Sequence, residues 1–123
     1  MIRGGFEPFS AGDAAPLVPN VAVADRLWSR FAGLMGRRSF GREGGLLFPR
    51  CNAVHTMFMR FPIDVAFMDG RGKVIQARSR VRPWRLAGPV SGAVSALELP
   101  QGEVDRLGIR VGSALRLESG RRS

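Results

Sequence analysis

Scarcity is the first property of these 123 residues to read. There is one cysteine, Cys51, one histidine, His55, and one lysine, Lys73. A lone cysteine cannot close an internal disulfide, and nothing points to an oxidising compartment. No apolar run approaches the about 18 residues that a membrane-spanning helix needs. The opening residues, MIRGGFEPFSAGDAAP, hold no apolar core of about 7–15 residues of the kind a secretion signal carries. The expected location is therefore cytoplasmic.

Acidic residues are also few, 10 against 19 basic ones, for a net charge of +9. All the basic residues but Lys73 are arginine, which reads as a codon bias toward G and C. A chain this basic is attracted to polyanions whatever else it does. Glycine and proline are plentiful, at 16 and 8, which implies many turns and favours a β-rich fold. The length suits one domain, large enough to fold without a disulfide or metal.

The stretch from Cys51 to Asp69, CNAVHTMFMRFPIDVAFMD, organises the rest. Alternation along a strand would place Cys51, Ala53, His55, Met57, Met59 and Phe61 on one face. After Pro62, which marks an edge, bulge or bend, the run Ile63–Met68 is apolar on both faces except for Asp64. That pattern predicts a strand buried on both sides. Asp69-Gly70-Arg71-Gly72 then predicts a hairpin, since Asp and Gly accept the positive φ of tight turns.

Residues 1–13 read as a loose lead-in, 14–118 as the globular domain and 119–123 as a frayed tail. Leu17–Ala24 predicts a first strand. Asp25 is a good N-cap for a helix over residues 26–35, whose apolar positions recur at helical spacing up to Gly36. Leu46–Phe48 predicts a short buried strand. Lys73–Val81 predicts a half-buried strand, with Val74, Gln76, Arg78 and Arg80 on one face and Ile75, Ala77, Ser79 and Val81 on the other. Leu86–Gly92 reads as a loop, Val94–Leu99 as a strand, residues 101–107 as a short helix capped by Gly108, and Ser113–Leu117 as a last strand. The fold class is α+β, mainly β: a compact, β-barrel-like sheet with one helix near residues 26–35 and a short helix near residues 101–107.

Several segments together resemble domain-of-unknown-function family 192. They are Gly33-Leu34-Met35-Gly36-Arg37, Gly45-Leu46-Leu47-Phe48, Pro62–Asp69 with Gly72-Lys73-Val74, Pro83, Leu97-Glu98-Leu99, and Gly108-Ile109 with Gly112. The resemblance spans roughly residues 17 to 117. It implies a compact, mostly β domain with one or two short helices, and little about activity. Many members carry Trp-Met-Lys-Asn-Thr before a Pro-Leu-Asp. Here His55, Thr56, Met57, Phe58 and Met59 stand at those positions, so polar groups give way to soft apolar ones.

Candidate chemistry is sparse. On a strand, Cys51 and His55 would lie about 13 Å apart, at roughly 3.3 Å per residue, too far to share a metal or form a dyad. Met57, Met59 and Met68 could be soft ligands, but core packing explains them better. No cofactor or metal is expected. Asp64 and Glu98 are carboxylates in apolar strands, each costly to bury unless hydrogen-bonded or paired. Arg78, Arg80, Arg82 and Arg85, with Trp84 between the last two, make a basic and aromatic segment suited to phosphate contacts and stacking. Three functions are expected, in this order. The first is a non-enzymatic binding module for an unknown protein or small ligand, acting as a monomer. The second is nucleic-acid binding through Arg78–Arg85. The third is an enzyme with a pocket acid at Asp64, or using Glu98 or Cys51/His55. The candidate binding residues are His55, Arg60, Asp64, Arg80, Arg82, Trp84 and Arg85; no catalytic residue is assigned.

Overall fold

A computed structural model describes residues 15–23, 40 and 44–119. The lead-in over 1–13 and the helix expected near 26–35 lie outside the described residues. Those described form eight strands and one short helix. In chain order these are β1 (Leu17–Val23), β2 (Gly45–Pro49), β3 (Val54–His55), β4 (Ile63–Met68), β5 (Val74–Val81), β6 (Leu86–Ala87), β7 (Ser95–Pro100), α1 (Glu103–Arg106) and β8 (Arg116–Ser119).

Six strands form one sheet in the order β5-β4-β7-β2-β1-β8, and β3 pairs with β6 in a second, two-stranded sheet. The fold is α+β and mainly β. The large sheet does not close into a barrel; β5 and β8 remain as edges. β4 and β7 sit inside it, and every residue of β4 is buried. An apolar run free of alternation has this consequence, because a strand covered on both sides needs apolar groups at every position. Ile63, Val65 and Phe67 enter one core cluster with Leu46, Phe48, Val54, Val81 and Ala96. Ala66 and Met68 enter the other with Val18, Leu97, Leu99 and Val104. The sheet is thus the partition between two apolar layers, and burial of both supplies the main driving force for folding.

Three local expectations are corrected. The segment before Pro62 is not one strand: only Val54–His55 pairs, with a turn at Met57-Phe58 and a bend at Arg60-Phe61. The loop expected after Trp84 contains β6, which pairs Val54 with Ala87 and His55 with Leu86. Gly88 permits this approach, since a Cβ there would lie 2.6 Å from the Asn52 carbonyl oxygen and its φ is +96°. In β5 the simple alternation fails. Its register against β4 shifts twice, opposite Phe67/Met68 and opposite Ile63/Val65. These bulges put Val74 and Ala77 with one cluster and Ile75 and Val81 with the other. The hairpin at Asp69–Gly72 forms as its residues predict. The Asp69 side chain accepts from the N–H groups of Arg71 and Lys73 at 2.9 and 3.0 Å, and Gly72 takes a positive φ of 82°.

Candidate binding site

The site is built around Thr56, a fully buried hydroxyl between the two-stranded sheet and the turn after β5. Its Oγ1 donates to the Arg82 carbonyl at 2.6 Å and accepts from the Arg85 N–H at 2.8 Å. Its own N–H donates to the Arg85 carbonyl at 2.9 Å, and its carbonyl accepts from Trp84 and Met59. One residue therefore fixes the backbone of Arg82–Arg85 against the loop that carries Phe58. The consequence is a tilted aromatic pair: the Phe58 and Trp84 rings stand 4.7 Å apart at 59°. Both rings stay out in solvent, 58% and 54% exposed, and Leu86, which pairs with His55, is 60% exposed.

Arg80, at the β5 bulge, is set from the opposite direction. The Asp64 carboxylate is fully buried in β4. One of its oxygens accepts from the Arg80 N–H at 2.9 Å; the other accepts from Gly102 and Val104 at 3.1 and 2.9 Å. Asp64 thus joins the bulge to the first turn of α1, and its charge is satisfied by backbone N–H groups rather than by an arginine. A groove of ≈ 300 Å³ opens along this edge, lined by Arg78, Arg80, Arg82 and Arg85 with Ser79 and Leu86. Among the described residues the ion pair is Glu103–Arg106, at 2.7 Å, so none of the groove arginines is neutralised there.

The backbone at the site is unusual. Phe58, Arg80 and Trp84 all have positive φ, at 65°, 54° and 64°. Such conformations are uncommon for non-glycine residues and cost on the order of 1–3 kcal/mol each. The Asp64 and Thr56 hydrogen bonds are what hold two of the three in place.

Of the residues expected at a binding surface, Arg80, Arg82 and Arg85 line the groove, and Trp84, between the last two in the chain, stands against Phe58. His55 stands beside them in β3, its Nδ1 accepting from the Met57 N–H at 3.2 Å. Arg60 is exposed on the bend before β4 and does not line the groove. Asp64 is beneath the surface, serving it through Arg80. Arg78, expected as part of the basic Arg78–Arg85 segment, also lines the groove; Thr56 and Phe58 were not among the expected residues. A lone threonine in an apolar stretch was the signal for the first; no sequence pattern marks Phe58 as exposed.

The two buried carboxylates face opposite sides of the large sheet. Asp64 lies between Ile63 and Val65 and faces the cluster of Ala66, Leu99 and Val104. Glu98, opposite Leu46 and Val65 in the register, faces the other one. Glu98 is 1% exposed, and its Oε1 has no hydrogen-bond partner among the described residues. Burial pushes its carboxyl up to about 8. The Cys51 thiol donates to the Ala53 carbonyl at 2.9 Å. Among the described residues no three His, Cys, Asp or Glu side chains gather as metal ligands, and no helix is long and apolar enough to cross a membrane.

Comparison with known proteins places this geometry in a family. A UPF0127 protein of Thermococcus sibiricus is 35% identical over 99 residues, covering 77% of this chain and 64% of the relative. The chain thus spans a little under two thirds of that protein's length. A UPF0127 protein of Pyrococcus furiosus is 36% identical over 101 residues, covering 77% and 84%. A solved protein of unknown function from Novosphingobium aromaticivorans shares the fold at a TM-score of 0.61 and 23% identity, over 76% of this chain and 70% of that one. Another, from Sinorhizobium meliloti and called a "putative transcription regulator", has a TM-score of 0.62 and 26% identity over 76% of both chains. Residues 10–117 match the family described as an uncharacterized ACR, and the chain belongs to it: domain-of-unknown-function family 192.

Proposed function

We propose that this chain is a non-enzymatic binding module whose working surface is the arginine groove with the Phe58–Trp84 pair, and whose partner is a polyanion, nucleic acid first among them. The observation that carries the reading is the groove itself: four arginines line one groove, none engaged in an ion pair among the described residues. Unpaired cations held together repel one another, so the arrangement stabilises nothing until an anion arrives. The name given to the Sinorhizobium meliloti relative agrees with a nucleic-acid partner. An enzyme is disfavoured because Asp64 has both oxygens occupied by backbone N–H groups and Glu98 faces the other layer.

The test is the Arg80→Ala/Arg82→Ala/Arg85→Ala variant in a binding assay with a labelled nucleic acid at low salt. These side chains are exposed, so the variant should fold. Binding by the wild type and its loss in the variant is the expected result. Equal binding by both removes the groove from the function.

A further inference from the structure

Resting on that reading, we infer that the partner is nucleic acid in single-stranded form, with one unpaired base lying on the Phe58–Trp84 pair and its phosphates along the Arg78–Arg85 groove. Arginines alone would serve any polyanion. The aromatic pair is what discriminates. Two large rings are more than half exposed, side by side, on a backbone held at positive φ. Exposure of this kind contributes little to folding, and the backbone conformation costs something. A planar ligand face gives both a use, because bases stack on aromatic side chains without regard to sequence. A duplex keeps its base faces stacked inside and offers only edges and phosphates.

The pair geometry limits the footprint. At an interplanar angle of 59° the two rings do not form a parallel slot, so they offer a wall to one base rather than a sandwich. Among the described residues, Ser79 is the only uncharged polar side chain lining the groove, which leaves few groups to read base edges. Binding is therefore tolerant of sequence. Thr56 holds both halves of the wall before the ligand arrives, which lowers the ordering cost of binding. An acidic peptide would satisfy the arginines but bring no planar face to the rings.

The experiment titrates the full chain with a short labelled single-stranded DNA of mixed sequence. The same sequence as duplex, inorganic polyphosphate and a poly-glutamate peptide serve as competitors. The single strand should bind roughly tenfold or more tighter than any competitor. Trp84→Ala should weaken single-strand binding by roughly 5- to 100-fold and polyphosphate binding by a much smaller factor. Phe58→Ala should act in the same direction, and carries the test if Trp84→Ala does not fold. A duplex, polyphosphate or poly-glutamate that binds as tightly as the single strand overturns the inference while the anion groove stands. So does an aromatic variant that binds normally. A folded wild type that binds no polyanion overturns both.

Discussion

Asp64 and Glu98 occupy the interior of the same sheet and meet opposite fates. Asp64 has three backbone N–H donors; the Glu98 Oε1 has none among the described residues. Replacing Asp64 by alanine strands three donors below the surface, each worth about 1–3 kcal/mol when unsatisfied. Asp64→Ala should lose about 3 kcal/mol or more in urea unfolding, and an unchanged midpoint would refute its role. Glu98 gives a pH dependence. Its folded value of about 8 lies above the ordinary 4.5, so the native state holds the proton more tightly. The stabilisation is complete below the ordinary value and is lost as pH rises through the folded one. Unfolding free energy should fall by on the order of 1 kcal/mol per pH unit across that window, and Glu98→Gln should flatten the slope. Identical slopes in both proteins would contradict this. That both carboxylates are buried was legible from their apolar strands. Which one finds partners was not, because the Asp64 donors lie 16 to 40 residues away.

The elements show the same division between local and distant causes. The Ile63–Met68 run and the Asp69–Gly72 turn gave β4 and its hairpin, since both depend on neighbouring residues alone. The bulges of β5 did not announce themselves: they answer to the register with β4, and they bring Ser79, expected on the opposite face, into one groove with Arg78 and Arg80. The β3–β6 pair was missed for a related reason. Two-residue strands have no period to read, and here they are fixed by Thr56 across 26 to 29 residues. Thr56→Val keeps the shape and removes the hydroxyl. It should cost about 1–3 kcal/mol and weaken anion binding by loosening the Arg82–Arg85 turn, whereas Thr56→Ser should retain both. Calorimetry with a binding titration on the two variants checks this; equal behaviour of Val and Ser would show that the hydroxyl does not matter.

For the whole molecule the question is whether binding resides in the groove or in the net charge. A net charge of +9 attracts polyanions diffusely from any side. A composition-level reading could see the attraction and the Trp84-centred segment, but not that Phe58 would be brought beside Trp84 or that Asp64 would lie beneath. Salt dependence distinguishes the two sources. On a single strand each neutralised phosphate contributes a slope of roughly −0.7 in log binding constant against log salt. Four groove arginines should give about −3, falling to about −1 in the Arg80→Ala/Arg82→Ala/Arg85→Ala variant. The measurement to make is therefore the binding constant for a labelled single strand over a range of salt, for wild type and variant side by side. A steep wild-type slope that shrinks in the variant supports the groove as the binding site; a shallow slope, or one the variant leaves unchanged, contradicts it.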